Sequence, residues 1–319
     1  MSMKRIHFLC SGVIAVMALA SLTLFPDMAC AATRTEKKIV IPEDLTHPSF
    51  KTLTVGICPG GHNEKEKEEE WRKTPSKCSR AQLMYPYYKK TPWMNELIAR
   101  SIILPMLAER LDEKPASRGG ENLYKGKLMD VVRKGGERGS VEKPPPIEFT
   151  AKLSGYESSS ISPAGLPRPE MFGPYLQFML TQEMRQQYDT HPAGPLVGFV
   201  VIDIRSRRIL TIDDLILPGQ EKVLENLQRT IFRTWMRTER SLPNEAIKAH
   251  YANPSHAFFP LNRNWRIAEG GLMFRFATYE VGPRPFGSPE IFLEKKRLGS
   301  IIQPDILKQI PDMELTAGN

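Results

Sequence analysis

The first 31 residues decide in what surroundings this chain has to fold. Lys4 and Arg5 precede an unbroken apolar run from Phe8 to Phe25, and Pro26 and the small-residue sequence Ala29-Cys30-Ala31 follow it. A cationic start, an apolar stretch of about 18 residues and an A-x-A pattern are the marks of a secretory signal peptide, so the expected mature chain begins at Ala32 and works in the periplasm or outside the cell. An uncleaved anchor is the alternative, because such a run sits at the lower edge of a membrane span. A lipoprotein reading at Cys30 fits less well, since Asp27 and Met28 stand where a lipobox takes aliphatic and small residues.

Export changes what the cysteines mean. Cys10 and Cys30 leave with the signal peptide, so only Cys58 and Cys78 remain, and an even pair in an oxidising compartment most simply forms one disulfide. The closed loop of roughly 20 residues would be worth about 3 kcal/mol of denatured-state entropy. It contains the charge-alternating stretch His62 to Glu70, which reads as a solvated excursion. A metal site on Cys58, His62 and Cys78 is the rival, but it lacks a fourth ligand and the spacing of a zinc finger.

Loss of Lys4, Arg5 and Asp27 takes the formal net charge only from +8 to +7. A basic exported protein meets peptidoglycan carboxylates, lipid phosphates and anionic polymers, and nucleic acid is not an expected partner. The positive charge is dispersed, without a basic run, which argues for solubility before a dedicated polyanion site.

The expected organisation is α+β in two lobes, with antiparallel sheets packed against amphipathic helices. Residues 32–113 form an N-terminal region of strand, disulfide loop, strand and helix. Lys51 to Ile57 alternates as a strand, and Ala81 to Tyr88 forms a second. Thr91 is placed to cap a helix that Pro92 opens, with Trp93, Leu97, Ile98, Ile102, Leu107 and Leu111 at helical spacing and Pro105 expected to kink or break it. Residues 114–146, rich in Gly, Pro and charge, read as a linker or insertion with a short turn near Leu128 to Val132.

Residues 147–311 are more legible, and 312–319 form a tail. Phe149 to Ser160 and Tyr175 to Tyr188 read as strands, and Pro195 to Ile204 turns back through Arg205-Ser206-Arg207 into Arg208 to Ile212. From Glu221 to Arg240 a wide apolar stripe of Val223, Leu224, Leu227, Ile231, Phe232, Trp235 and Met236 predicts a helix on a sheet. Trp265 and Ile267, then Leu272, Phe274 and Phe276 beyond Glu269-Gly270-Gly271, make a hairpin. Pro289 to Leu293 is a last strand, and Arg297 to Ile310 a helix interrupted at Pro304.

The segment from Trp265 to Leu307, preceded by VVIDIRSRRILTIDDLI at 200–216, resembles the RsiV-like domain family, the terminal domain shared by lysozyme-sensing anti-sigma factors and some peptidoglycan deacetylases. Leu272-Met273-Phe274-Arg275-Phe276, Tyr279-Glu280-Val281, Gly287 and Glu290 to Leu293 carry the likeness, which spans residues 147–311. Tyr85 to Leu111 more weakly resembles the domain that often precedes it. The resemblance implies binding in the cell envelope. The parts that hold a sigma factor or deacetylate are not matched: only a few residues precede the apolar run, and His47, His62, His191, His250 and His256 include no His-x-x-x-His pair.

The residues by themselves offer little for catalysis. Asp213 and Asp214 are adjacent and, on an extended chain, would face opposite ways, a poor arrangement for sharing a proton. His250 and His256 flank a Pro/Ser turn and read as surface histidines. There is no G-x-S-x-G elbow, and Gly60-Gly61, Gly119-Gly120 and Gly270-Gly271 lack a phosphate-loop continuation. No catalytic residue, cofactor or metal is expected. The expected function is a non-catalytic envelope binding module for peptidoglycan or an envelope protein; the alternative is a cell-wall hydrolase or deacetylase of unrecognised type. Lysozyme as a partner is disfavoured by like-charge repulsion. Binding is expected at Tyr279, Arg284 and Phe286, where the rigid loop from Gly282 to Gly287 can present a ring and a cation, although Tyr279 could instead continue a strand into the core.

Overall fold

The computed structural model describes residues 41–58, 78–116, 119–137, 146–156, 160–186, 195–253 and 259–313, all within one compact unit that begins at Ile39. The signal peptide, the His62 to Glu70 stretch, His191, His256 and the end of the tail lie outside the described residues.

Alternating apolar positions make β1 (Ser49–Ile57) and β2 (Ser79–Tyr87) an antiparallel hairpin. Ile57 pairs with Ser79, and the Cys58–Cys78 disulfide closes the hairpin one residue further on. Both sulfurs are therefore committed to each other, and the metal reading on Cys58 and Cys78 falls.

β2 turns into a helix by using the Asn95 side chain as a surrogate strand. The Tyr88 N–H donates to Asn95 Oδ1 at 2.8 Å, and Asn95 Nδ2 donates to the Tyr88 carbonyl at 2.7 Å. Thr91 occupies the N-cap position before Pro92, yet it makes no capping bond; its hydroxyl donates to Asp44 Oδ1 at 2.8 Å. Helix α1 (Pro92–Ile98) passes through a π-helical stretch, Ala99–Ile103, into α2 (Leu104–Leu111), which stops at Asp112 in the left-handed region. Pro105 thus breaks nothing, because the wider turns place it in the first turn of α2, where a missing N–H is tolerated.

The 114–146 segment, expected to be a linker or insertion, holds the 17-residue helix α3 (Glu121–Glu137). Tyr124, Leu128, Val131 and Val132 are buried in the same core as α1, α2 and the sheet. Its six apolar residues, Leu123, Tyr124, Leu128, Met129, Val131 and Val132, are interspersed with glycines and charges, so composition concealed a packed helix.

From α3 the chain re-enters the sheet as β3 (Ile147–Ser154), which runs parallel to β2. This is the one departure from the expected antiparallel pattern, and a helical crossover is the kind of connection a parallel pair requires. β4 (Glu170–Phe172), β5 (Tyr175–Gln186), β6 (Leu196–Asp203) and β7 (Arg208–Leu210) complete a seven-stranded sheet in the order β1-β2-β3-β5-β6-β7, with β4 on β5. The sheet runs across the expected linker, so strands from both sides of it cover the first core.

The second core lies under a smaller sheet. Helix α4 (Ile212–Leu215) leads to α5 (Glu221–Thr238), which buries Leu224, Gln228, Phe232 and Met236 while Val223 stays 46% exposed. After α6 (Asn244–Ala252), where no element was expected, come β8 (Trp265–Ala268), β9 (Gly271–Arg275) and β10 (Glu290–Glu294), in the order β10-β9-β8. Trp265, Ile267, Leu272, Phe274, Ile291 and Leu293 face the second core. The helix expected from Arg297 to Ile310 is reduced to a 3-10 turn at Lys295–Arg297 and the short α7 (Pro304–Leu307); Pro304 opens that helix instead of interrupting one.

Candidate functional site

Strand alternation that sends the odd-numbered side chains of β8 into the core sends Arg266 the other way. In register, Arg266 stands opposite Met273, Met273 opposite Phe292, and Arg275 opposite Glu290. Five side chains of a three-stranded sheet therefore share an outer face, and β4 and residues 311–313 wall it into a groove of about 730 Å³ lined by Glu170, Phe172, Arg266, Met273, Phe292 and Met313 among others.

Arg266 is the unusual group. It is 8% exposed, and its guanidinium lies 3.7 Å from the ring centroid of Tyr156 and 5.7 Å from that of Phe199. Nη1 donates to the Ile267 carbonyl at 3.3 Å and reaches Glu170 Oε2 at 3.4 Å, while Nε has no partner. The Tyr156 hydroxyl donates to Glu290 Oε2 at 3.2 Å, and Glu290 Oε1 accepts from Arg275 Nη1 at 2.9 Å. Burial, reinforced by Glu290, raises the Tyr156 pKa, and the neighbouring Arg266 opposes the rise. The result is a chain in which the Tyr156 ring joins two ion pairs, Glu170–Arg266 and Glu290–Arg275.

The expected binding residues sit in the loop at the Arg275–Glu290 end of this sheet. Tyr279 is 61% exposed with φ of 71°, in a turn held by the Ala277 N–H donating to Glu280 Oε2 at 2.6 Å. It neither continues a strand nor joins the core. Arg284 opens a 3-10 turn, Arg284–Phe286, and its side chain lies outside the described set. Phe286 turns inward: its ring packs 5.9 Å from Trp235, 6.3 Å from Phe232 and 5.5 Å from His250, and its carbonyl accepts from Arg240 Nη2 at 2.9 Å. Gly282 is required beneath it, since a Cβ there would lie 2.2 Å from the ring. His250 is on α6, against Phe286.

The aspartate pair is divided between two tasks. Asp214 accepts from the Thr211 N–H at 2.8 Å, from its hydroxyl at 3.0 Å and from Arg208 Nη1 at 2.7 Å, whereas Asp213 reaches Arg263 at the surface. Burial would raise the Asp214 pKa, but the Thr211 and Arg208 bonds outweigh it and hold the carboxyl below its ordinary value. Among the described residues, no group of three His, Cys, Asp or Glu is placed to hold a metal ion.

Sequence reasoning missed Arg266. The alternation of β8 and β9 was legible, but Tyr156, Phe199 and Glu170 come from 67 to 110 residues earlier in the chain, and no local pattern links them to it.

Comparison with known proteins bears on the second core. Residues 213–296 match a family described as a protein of unknown function, DUF3298. That segment contributes Arg266, Met273 and Phe292 to the groove, while Glu170, Phe172 and Met313 lie outside it. A crystal structure of a DUF3298 family protein from Pseudomonas aeruginosa PAO1 is similar over 82% of this chain and 98% of that one, at 16% identity and a TM-score of 0.54. A DUF3298 family member from Bacteroides fragilis NCTC 9343 is similar over 83% and 98%, at 13% identity and a TM-score of 0.51. At these identities the likeness is one of fold. No curated protein sequence matches the chain. The disulfide fits an exported protein, and among the described residues no helix is long and apolar enough to cross a membrane.

Proposed function

We propose that this protein is an exported, non-catalytic binding module of the cell envelope, and that it holds a peptidoglycan fragment along the outer face of β8–β10. Arg266 carries the reading. A guanidinium this far out of water is costly unless its partners are good, and the Ile267 carbonyl, Glu170 and the Tyr156 ring still leave Nε without a partner. A ligand carboxylate or carbonyl in the groove would complete its coordination. The lining also includes Glu269 and Asp312, the latter paired with Lys295 at 2.7 Å, so the groove carries both signs of charge and suits a zwitterionic ligand such as a peptidoglycan stem peptide.

Three further points support binding over hydrolysis. Glu170 and Glu290 each stand against a guanidinium, which suits holding a ligand more than passing a proton. Tyr279 combines high exposure with a strained backbone at the adjacent loop, a cost that function can explain. The sequence from Lys4 to Ala31 and the RsiV-like resemblance argue for export and an envelope ligand.

Co-sedimentation of the exported protein with purified sacculi tests the reading. Wild type should pellet with sacculi, and Arg266→Gln should remain largely in the supernatant while keeping its Tm within a few degrees. Wild type staying in solution, or a folded Arg266→Gln pelleting like wild type, rejects it. If sacculi fail and one envelope protein is captured in an Arg266-dependent way, the ligand is a protein.

A further inference from the structure

A second concavity opens on the first core and shares no lining residue with the Arg266 groove. It lies between the β1–β2 hairpin, the α1–π–α2 run and the start of α3, and its volume is about 310 Å³. Tyr85 and Tyr124 line it, 7% and 5% exposed, with their rings edge to face at 5.7 Å. Neither hydroxyl has a hydrogen-bond partner among the described residues, although Tyr88, Tyr156 and Tyr175 all have one. Neither hydroxyl is among the fully buried atoms left without a partner, so both keep contact with solvent inside the pocket and are free to bond a guest.

The surroundings are arranged around the same space. The π-helical stretch supplies one wall through Ala99 and Ile103, and such widened turns recur at functional sites. Gly119 keeps the mouth clear: a Cβ there would stand 3.0 Å from the Tyr124 hydroxyl and 3.1 Å from the Ala99 Cβ. The rim charges are already matched, Lys51 with Glu121 at 3.6 Å and Glu96 with Arg100 at 3.4 Å, so the pocket makes no strong demand for a charged ligand.

We propose that this pocket binds one uncharged, hydroxyl-bearing ring, a saccharide or cyclic polyol, through the hydroxyls of Tyr85 and Tyr124. A phenol both donates and accepts, as does each hydroxyl of such a ring, while Glu96 and Glu121 can accept and Lys51 can donate at the rim. A volume at the low end of ligand pockets limits the occupant to about one ring. Burial pushes Tyr85 up to about 12 and raises Tyr124 further, so both remain O–H donors at physiological pH.

The test is saturation-transfer NMR and calorimetric titration of the full exported chain with N-acetylglucosamine, glucose, myo-inositol and inorganic phosphate. At least one neutral ring should bind and phosphate should not. Tyr85→Phe/Tyr124→Phe should weaken that binding by about tenfold or more with an unchanged or higher Tm, because only unbonded hydroxyls are removed. Gly119→Val, which crowds the mouth against the Tyr124 hydroxyl and Ala99 but removes neither hydroxyl, should abolish it. Absence of binding by every neutral ring, binding of phosphate alone, or an undiminished affinity in the double Phe variant overturns the assignment. Arg266→Gln should bind the ring as wild type does, which separates this pocket from the Arg266 groove whatever the sacculus experiment shows.

Discussion

Gln177 on β5 acts as one rung of β-sheet for Ile267 on β8. Its Nε2 donates to the Ile267 carbonyl at 3.0 Å and its Oε1 accepts the Ile267 N–H at 2.6 Å, both bonds buried. One side-chain amide thereby bonds both main-chain groups of Ile267 on the edge strand of the smaller sheet, where Leu272 of β9 is its only strand neighbour among the described residues. Gln228 does the same for Asn262, with the N–H accepted at 2.9 Å and the carbonyl reached at 3.3 Å.

Gln177→Leu leaves the buried Ile267 N–H without its partner and its carbonyl with only Arg266 Nη1 at 3.3 Å, and should cost about 2 kcal/mol. Urea unfolding followed separately by Trp93 in the first core and Trp265 in the second is the measurement. Coincident, cooperative transitions in wild type should separate in the variant; unchanged stability would mean that water replaces the amide.

Asp214→Asn should destabilise by about 1 kcal/mol at pH 7. The folded pKa of Asp214 is depressed, so its contribution is present above the unfolded value of 3.8 and is lost as pH falls through the folded one. Thermal melts should therefore differ between variant and wild type at pH 7 and converge at pH 2.

Tyr279 and Phe286 should behave oppositely. Tyr279→Gly relieves a positive-φ side chain and should stabilise by up to about 1 kcal/mol while weakening ligand retention. Phe286→Ala removes a ring from Phe232, Trp235 and His250 and should cost about 2 kcal/mol. Denaturant midpoints measured beside sacculus binding separate the two roles.

Tyr85 should resist ionisation up to about pH 12. Because its folded pKa is raised, its own contribution to stability is fully present below pH 10 and is lost as pH climbs from there through the folded value. Absorbance titration at alkaline pH should show late-titrating tyrosines, and Tyr85→Phe should have one fewer of them.

Reduction of Cys58–Cys78 should lower stability by about 3 kcal/mol. Peptide mapping of the exported protein without reductant should recover the two cysteines linked, on a chain that starts at Ala32. Free thiols, or Met1 retained, would contradict the export reading.

Alternation in Lys51 to Ile57 and Leu272 to Phe276, the stripe from Leu224 to Met236 and the two mature cysteines were sufficient to determine strands, the long helix and a disulfide, because each of those signals is local or concerns a count of two. Where the local signal was diluted the sequence misled: glycines and charges among its apolar residues concealed α3, and Pro105 suggested a break that a π-helical stretch absorbs. The parallel β2–β3 pair, the Gln177–Ile267 rung, the burial of Arg266 against Tyr156 and the facing hydroxyls of Tyr85 and Tyr124 were decided only by tertiary structure. Each joins groups tens of residues apart, and only the packed chain fixes which polar groups lose water together and which must then satisfy one another.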